Sequence, residues 1–264
     1  MRGTSAASLN SLLDFADAQT ASVDLGTELF GLVAILDSTP ALRRVLTDPS
    51  VEGVAKEQLI REVLGSNVGA PTLAIASAAV SSRWSAARDL ADGLEIAGVR
   101  VLVATVGEAG SDQIQDELFA FARIIVSNSE LRDVLTNRNF AYDAKSELVQ
   151  SILDDKVSAA AVALAAQAVS ARNAKVERTL TDFAAIAADY RSRLVAQVTV
   201  AAPLSAADRE RLEAALAKKY GRAIHLNIAV DPEVVGGIMV AIGDQTIDGS
   251  ISSKLQDAKR RIAG

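Results

Sequence analysis

The chain has 264 residues, of which 50% are hydrophobic and 4% aromatic, with no cysteine and a formal net charge of −6. The lack of cysteine excludes a disulfide framework, a thiolate nucleophile and a cysteine metal site. The acidic balance argues against nucleic acid as a partner. The composition is typical of a stiff, mostly helical protein whose core consists of small and aliphatic side chains.

The first 96 residues predict a series of short helices. Apolar side chains recur at helical spacing, and proline and glycine residues mark the breaks. Pro40 opens a short third helix, and the turn at residues 48–50 leads into a fourth. A fifth helix is predicted over about 71–82 and a sixth over about 86–97. Six short helices joined by brief loops predict a bundle.

The sequence of this first part recurs 89 residues later without a gap. Residues 28–30, Glu-Leu-Phe, overlie the same three residue types at 117–119, and the matches continue as far as Arg83 over Arg172. Most matched positions are apolar at helical spacing, as two copies of one helical core would require. A unit of about ninety residues is therefore present twice.

Residues 99–106 form a β-branched, alternating stretch that would by itself predict a strand. At the 89-residue shift this stretch overlies residues 10–17, whose apolar side chains fit one face of a helix. The duplication therefore predicts a helix over about 98–108. A strand at this position would contradict the duplication.

From residue 194 onwards the periodicity changes from helical to alternating. We predict a strand over 194–201 and then a helix over 206–220, which Ser205 caps at its start. Residues 223–230 alternate again, which predicts a strand with one wet face. Strands and helices in this order predict a small α+β unit at the C-terminal end of the chain.

The chain ends in a glycine-rich run at residues 234–255. Residues 238–242 alternate as in a half-buried strand, and the pair Gly243-Asp244 permits a tight hairpin turn. A short returning strand around Ile247 and a last helix over about 251–262 complete the prediction. Almost every position in this run has a structural explanation, and none indicates chemistry.

This run, with its Gly-Gly, Ile-Gly-Asp and Ile-Asp-Gly-Ser elements, resembles the C-terminal signature of the ATP synthase delta subunit family, which includes the mitochondrial oligomycin-sensitivity-conferring protein. The preceding order of strand, helix and strand is also that of the family. The positions that carry the signature are Gly236, Gly237, Gly243, Asp244, Ile247, Asp248, Gly249 and Ser250.

The duplication and the resemblance together predict a mainly α protein, with two tandem six-helix-type bundles followed by a small α+β C-terminal domain. The predicted domains are a first helical bundle over 1–96, a second over 97–193 and the α+β domain over 194–264. Family members ordinarily have a single bundle, which precedes the C-terminal domain directly. The first copy is therefore the additional one.

The resemblance implies a non-catalytic subunit of the peripheral stalk, present once in each F-type ATP synthase. Such a subunit links the catalytic head to the b subunit of the stalk and resists rotor torque during proton-driven ATP synthesis, at the cytoplasmic face of the bacterial membrane. In the family, an N-terminal helix of the α subunit lies between the first and fifth helices of the bundle. The residues that match this groove by resemblance are Leu12, Leu13, Ala16, Ala76 and Val80 in the first copy, and Leu102, Thr105, Ala165 and Val169 in the second.

Residues that could carry chemistry have structural explanations. His225 is the only histidine and lies in a predicted strand without cysteines or clustered carboxylates, so we assign it no metal. Asp244 and Asp248 stand beside glycines, where aspartate is favoured for its hydrogen bonds to the backbone of a turn. No glycine-rich phosphate loop is present, so we predict no nucleotide, cofactor, metal or catalytic site.

Three further residues stand out by type or by repetition. The single Trp84 is interpreted as a cap of the bundle, with an anchor for a partner as the alternative. Lys56 and Lys145 occupy the same position in the two copies, and we interpret them as lysines on helix surfaces. The uncharged run 157–171 is too short to span a bilayer and predicts a buried core helix.

Two other classes of function remain open from the sequence. A generic helical-repeat scaffold for protein interactions would explain the duplication and the acidity, although not the terminal signature. A helical RNA-binding regulator would need a basic face on the folded bundle. An enzyme is the least favoured class, because no nucleophile, base and orienting group form a pattern.

Overall fold

The computed structural model describes residues 1, 3–173, 175–192, 194–220, 224–231, 237–242 and 245–248. The chain divides into two compact units, Met1–Tyr190 and Arg191–Gly264. The described part of the first unit is helical, and that of the second contains a small mixed sheet and one helix. The prediction of a mainly helical protein with a small α+β C-terminal region is thereby confirmed.

The helices of the first unit follow the breaks expected from the sequence. Ser22 caps the second helix, since its Oγ accepts a hydrogen bond of 3.1 Å from the Leu25 amide. Pro40 occupies the first turn of the third. In chain order the helices are α1 Thr4–Asp17, α2 Val23–Ser38, α3 Pro40–Thr47, α4 Gly53–Leu64, α5 Ala70–Ser81, α6 Ala87–Ala104, α7 Gly107–Ser127, α8 Ser129–Thr136, α9 Tyr142–Leu153, α10 Ala159–Ala168 and α11 Val176–Ser192.

The duplication is visible in the helix boundaries. The bounds of α3 and α4, shifted by 89 residues, coincide with those of α8 and α9, and α2 and α7 end at equivalent residues. The starts of α5 and α6, shifted by the same amount, are the starts of α10 and α11. The same series of helices therefore occurs twice in one unit.

A repeated carboxylate stabilises the fifth helix of each series. Glu28 Oε2 accepts hydrogen bonds from the Gly69 amide at 2.9 Å and from the Thr72 hydroxyl, at the start of α5. Its equivalent, Glu117, accepts from the amide and the hydroxyl of Ser158 at the start of α10. A carboxylate at this end satisfies free amides and complements the helix dipole. The duplicated glutamate therefore has a structural role in both copies.

Helix α6 crosses the predicted domain boundary at residue 96. The predicted helices over 86–97 and 98–108 are one continuous helix, Ala87–Ala104, so the prediction of a break between them is wrong. The prediction of helix rather than strand at 99–104 is confirmed. All seven residues from 97 to 103 are buried, so the helix is enclosed on every side there. This environment explains the β-branched composition that suggested a strand.

Two hydrophobic clusters fill the first unit. One contains Leu29 and Leu94 among residues of α1 to α6, and the other contains Phe121 and Leu164 among residues of α7 to α11. Helices α2 and α6 contribute to both clusters; the neighbouring residues Leu29 and Phe30, for example, lie in different ones. The two halves are therefore joined by shared helices rather than by a linker.

Helices α2 and α6 approach each other closely at two glycines. A Cβ atom added at Gly98 would lie 2.7 Å from Phe30 Cε1 and 3.3 Å from the Gly26 carbonyl oxygen. A Cβ atom added at Gly26 would lie 2.5 Å from Leu102 Cγ. Because buried interiors are close-packed, larger residues at these positions would separate the two helices.

The second unit has a four-stranded sheet with one crossover helix. Strands β1 Leu194–Val200 and β2 Ile224–Val230 are parallel and are connected through α12 Ala206–Tyr220. Strands β3 Ile238–Ile242 and β4 Gln245–Asp248 extend the sheet antiparallel, in the order β2-β1-β3-β4. The predicted strands and helix are confirmed with boundaries within a residue or two.

The C-terminal signature is described in part. Ile242 pairs with Gln245, so the predicted hairpin is confirmed, while Gly243 and Asp244 in its turn lie outside the described residues. Gly237 has a φ of 93°, a conformation that favours glycine. The predicted last helix over 251–262 lies outside the described residues, as do Gly236, Gly249 and Ser250.

Candidate functional site

The residues predicted to line the partner groove lie in the interior of the helical unit. In the first series Leu12, Leu13, Ala16, Ala76 and Val80 are each at most 5% exposed. They pack within the α1 to α6 cluster. Apolar periodicity identifies buried positions without distinguishing a core from a groove. A partner on α1 and α5 would therefore contact the more exposed neighbours of these residues.

The corresponding residues of the second series are buried in the same way. Leu102, Ala165 and Val169 belong to the α7 to α11 cluster and are at most 2% exposed. Thr105 is partly exposed, and its hydroxyl donates a hydrogen bond of 2.6 Å to the Leu102 carbonyl oxygen. As in the first series, these side chains form the inside of the bundle and do not form open walls.

A cleft of about 950 Å³ lies between α2 of the first series and the helices α9 and α10 of the second. We call it the central cleft. Its α10 wall includes Ala159, Val162 and Ala166, and its α2 wall includes Phe30 and Ala34. The small residues give the cleft an apolar surface of the kind that helices use for close packing. Sequence analysis missed this cleft because its two walls come from different copies of the repeat.

The charged residues of the central cleft are mostly basic. Arg43, Arg88, Arg138 and Arg172 line it together with one acidic residue, Asp37. The chain as a whole is acidic, with a net charge of −6. Three of these arginines already pair with carboxylates, Arg43 with Asp37 at 2.9 Å and both Arg88 and Arg172 with Asp92, so the cleft does not present a strongly basic surface to a partner.

Arg172 connects the two series at one end of the central cleft. Its side chain is 5% exposed, and it donates a hydrogen bond to the Asp92 carboxylate. Its Nε lies 3.4 Å from Asp37 Oδ2 and 3.6 Å from Glu95 Oε2, and Gln167 Nε2 donates to Glu95 Oε1 at 2.7 Å. Gln167 of α10 and Arg172, which follows α10, thus contact carboxylates of α2 and α6.

This network changes the titration of two carboxyl groups. Burial raises the pKa of Asp92 and Glu95, and the charge of Arg172 partly opposes the increase in each case. The negative forms of both groups therefore depend on Arg172 as their principal counter-charge. The network is a candidate for the joint that fixes the angle between the two series.

A second buried arginine joins the ends of the helical unit. Arg100 of α6 forms a bidentate ion pair with Asp17 of α1, in which Nε donates to Oδ1 at 3.2 Å and Nη2 donates to Oδ2. Its guanidinium carbon lies 5.7 Å from the centre of the Tyr190 ring of α11. One side chain therefore contacts the first and the last helix of the unit.

A second cavity of about 950 Å³ lies on α7 and α11. We call this surface the open face. Phe119, Ala120 and Val126 line it, and at the 89-residue shift they overlie Phe30, Gly31 and Asp37, all of which line the central cleft. The open face is therefore the counterpart, in the second series, of the α2 wall of the central cleft.

The side chains considered for chemistry are described only in part. Among the described residues, no group of three or more histidines, cysteines and carboxylates is placed to hold a metal ion. The side chains of His225 and Asp248 and all of Asp244 lie outside what the structure describes. Trp84 is buried in the α1 to α6 cluster and donates to the Ala79 carbonyl oxygen at 2.8 Å, which confirms the interpretation as a bundle cap.

The interpretation of the paired lysines as surface residues is wrong. Lys56 and Lys145 are each 6% exposed, at equivalent positions of α4 and α9. Burial lowers the pKa of Lys145. The apolar periodicity places each lysine beside the buried face of its helix, but it does not show how much of the long side chain is covered in the folded protein.

In the described part of the chain, no single helix combines the length and the apolar composition needed to cross a membrane. The helices α2 and α3, which meet at an angle of 103°, satisfy the criterion as a bent pair by length and composition only.

Known proteins resemble this chain along its whole length. A protein of Streptomyces coelicolor named ATP synthase subunit delta is 44% identical over all of this chain and 98% of its own length. Proteins with the same name from Acidothermus cellulolyticus and Thermobifida fusca are 44% and 40% identical, over 91% and 100% of this chain and 88% and 100% of their own lengths.

A family model supports the same relationship. The model described as ATP synthase delta (OSCP) subunit matches residues 100–262, which include most of the second helical series and the α+β unit. The first series precedes this match, as expected for an additional copy. With the C-terminal hairpin in place and relatives that extend over both series, the chain belongs to the ATP synthase delta (OSCP) subunit family.

Proposed function

We propose that this protein is a non-catalytic peripheral-stalk subunit of an F-type ATP synthase. The observation that supports the proposal most strongly is the 44% identity to an ATP synthase subunit delta over the entire chain. In this role the protein links the catalytic head to the stalk and holds the head still against the torque of the rotor. It acts at the cytoplasmic face of the bacterial membrane, as a peripheral component present once in each complex.

The helical unit consists, in this proposal, of two tandem six-helix bundles that share α6. Helices α1 to α6 form the first bundle and α6 to α11 the second, which is consistent with equivalent helix boundaries at a shift of 89 residues. Enclosure of residues 97–103 on all sides is what a helix common to two cores requires. Because no flexible linker separates the bundles, force applied to one is transmitted directly to the other.

The proposed contacts with the head are made by helices of the α subunits. An amphipathic N-terminal helix of an α subunit would lie against α1 and α5 of the first bundle, or against α6 and α10 of the second. The apolar residues identified from the sequence form the interior below these faces. Phe15 on α1 is 39% exposed and Leu73 on α5 is partly exposed, so both offer contacts to such a helix.

The proposed contact with the stalk is made by the α+β unit and the b subunit. Binding at both ends of one chain raises the effective affinity for the assembly well above that of either contact alone. The buried ion pairs of Arg172 and Arg100 fix the helices of the head-binding part relative to one another. The helical unit then acts as a stiff body, which is the mechanical property that the head-binding part of a stator needs.

The experiment that tests the proposed function is isolation of the tagged full-length chain from solubilised membranes of its own organism. We expect the α subunit, the other head subunits and a b subunit to co-purify in fixed proportions. A variant that lacks residues 1–86, in which α6 is kept whole, measures the contribution of the first bundle to this assembly. Recovery of the full-length chain without any head or stalk subunit would refute the proposal.

A further inference from the structure

Helix α6 belongs to both helical series, and this sharing changes the surface of the second. At the 89-residue shift, α1 of the first series overlies the second half of α6. The two helices differ in their surroundings: Asn10 and Ser11 of α1 are exposed, whereas their equivalents Val99 and Arg100 are 0% and 3% exposed. The second series therefore lacks the outer surface that α1 gives to the first.

Helix α2 of the first series is one of the elements that cover α6 here. A Cβ atom added at Gly98 would lie 2.7 Å from Phe30 Cε1, and one added at Gly26 would lie 2.5 Å from Leu102 Cγ. Phe30 is a member of the hydrophobic cluster of the second series, and Val23 packs against the same cluster. One side of α2 is therefore part of the second core.

The same helix α2 also stands opposite α10. The central cleft lies between them, with Ala34 on the α2 wall and Val162 on the α10 wall. Arg172, which follows α10, lies 3.4 Å from Asp37 of α2 and joins the two walls at one end. A helix of another protein reaches the groove between α6 and α10 only if α2 moves away. That movement would expose Phe30 to water and break the ion pair of Arg172, and both changes are unfavourable.

On the equivalent side of the first series, apolar side chains reach solvent. Phe15 of α1 is 39% exposed, and Leu73 of α5 is partly exposed. The two helices run antiparallel, because the Ser8 hydroxyl of α1 donates a hydrogen bond to the Arg83 carbonyl oxygen just after α5. Phe15 and Leu73 therefore lie towards the same end of the helix pair. Neighbouring helices with exposed apolar side chains form the kind of surface that an amphipathic helix binds.

We propose that α2 takes the place of a partner helix in the second series, so that the first series alone binds the helix of the catalytic head, on α1 and α5. This inference rests on the proposed function, which supplies the partner, and it decides between the two faces considered there. The additional copy then carries the contact with the head, and the second copy connects it to the rest of the chain.

Leu73 and Val162 are a matched pair for testing this proposal. They occupy equivalent positions of α5 and α10, and both are partly exposed. Because the chain has no cysteine, Leu73→Cys and Val162→Cys each introduce a single thiol. We expect a maleimide to react with Leu73→Cys at least about tenfold more slowly in the assembled synthase than in the isolated chain, because an interface excludes solvent. The rate for Val162→Cys should be the same in both states.

A third variant identifies the partner and guards against a folding defect. Phe15→Cys should keep the melting temperature of the isolated chain, because Phe15 is 39% exposed. Its thiol should be protected in the synthase in the same way as that of Leu73→Cys. A benzophenone maleimide attached to this thiol should cross-link to a helix of the α subunit, which mass spectrometry of the product identifies.

The outcomes separate this inference from the proposed function. Protection of Val162→Cys on assembly would overturn the inference, since it would place a partner on the second series. Thiols at positions 15 and 73 that stay reactive in a synthase containing the chain would overturn it as well, and so would cross-linking of Phe15→Cys to a subunit other than α. If the unmodified chain is not recovered with the synthase, the proposed function fails instead.

Discussion

The substitution Arg172→Met tests the joint between the two helical series. It removes the cation next to Glu95 and one of the two arginines that face each of Asp92 and Asp37, while it keeps most of the side-chain volume. Removing one partner of a fully buried ion pair costs about 3–5 kcal/mol. Asp92 is 37% and Asp37 25% exposed, so solvent screens part of the cost. We therefore expect a loss of about 2–3 kcal/mol in the free energy of unfolding.

The duplication provides a matched control for this substitution. Arg83 is the equivalent arginine of the first series, and it is exposed. Arg83→Met should change the free energy of unfolding by less than about 0.5 kcal/mol. Thermal unfolding followed by circular dichroism at 222 nm should show a decrease of about 5–10 °C for Arg172→Met, on the scale of about 2–4 °C per kcal/mol for a unit of this size.

The cost of Arg172→Met should depend on pH in a defined direction. Burial already raises the pKa of Asp92 and Glu95 in the folded protein, and loss of the arginine raises it further. A carboxyl group with a raised folded pKa stabilises the fold below its unfolded pKa and loses this contribution as pH rises through the folded pKa. The variant should therefore be closest to the wild type below the ordinary carboxyl pKa of about 4. The difference in stability should grow as pH rises through the raised folded pKa values of Asp92 and Glu95.

Two results would contradict the proposed role of Arg172. Equal effects of Arg172→Met and Arg83→Met on the free energy of unfolding would mean that the ion pairs of Arg172 add no stability beyond that of an exposed arginine. A cost for Arg172→Met that increases towards acid pH would mean that the carboxylates are not the groups left uncompensated. The combined variant with Asp92→Asn and Glu95→Gln should recover part of the loss, since it removes the charges that Arg172 had paired.

Further substitutions examine other parts of the helical unit. Asp17→Ala leaves the buried Arg100 without its carboxylate and should cost about 2–3 kcal/mol in urea unfolding; an unchanged midpoint would contradict the role of this pair. Gly98→Val inserts a side chain against Phe30 and should cost about 1–3 kcal/mol, measured in the same way. Lys145→Met should stabilise the protein at pH 7. Because burial lowers the pKa of Lys145, the difference in stability between the variant and the wild type should shrink as pH rises through the lowered folded pKa. A difference that stays constant up to pH 10 would contradict this prediction.

Sequence patterns were sufficient for the helices and strands because local and global signals agree there. The boundaries of α12 and of the described strands follow from caps, alternation and turns, all of which act within a few residues. At residues 99–104 the local β-branched pattern favours a strand, and the duplication was needed to predict a helix. The continuity of α6 could not be predicted, since nothing in the sequence distinguishes two abutting helices from one long helix.

The sequence does not predict the candidate surfaces as well as it predicts the helices and strands. The central cleft combines Phe30 of one copy with Val162 of the other, and their proximity depends on how the copies pack. Leu12 and Val80 match the family groove by resemblance, yet their burial is a property of the folded core. One signal for the network was available: Arg83 and Arg172 match between the copies, while the carboxylates of the first series have no acidic counterparts in the second.

The most direct test of the central claim is proton-driven ATP synthesis in inverted membrane vesicles from a strain that lacks this chain. We expect that synthesis is lost while the head still hydrolyses ATP, and that purified full-length chain restores synthesis without contributing any catalytic group. Vesicles that synthesise ATP at the normal rate without the chain would contradict its assignment as the stator connection.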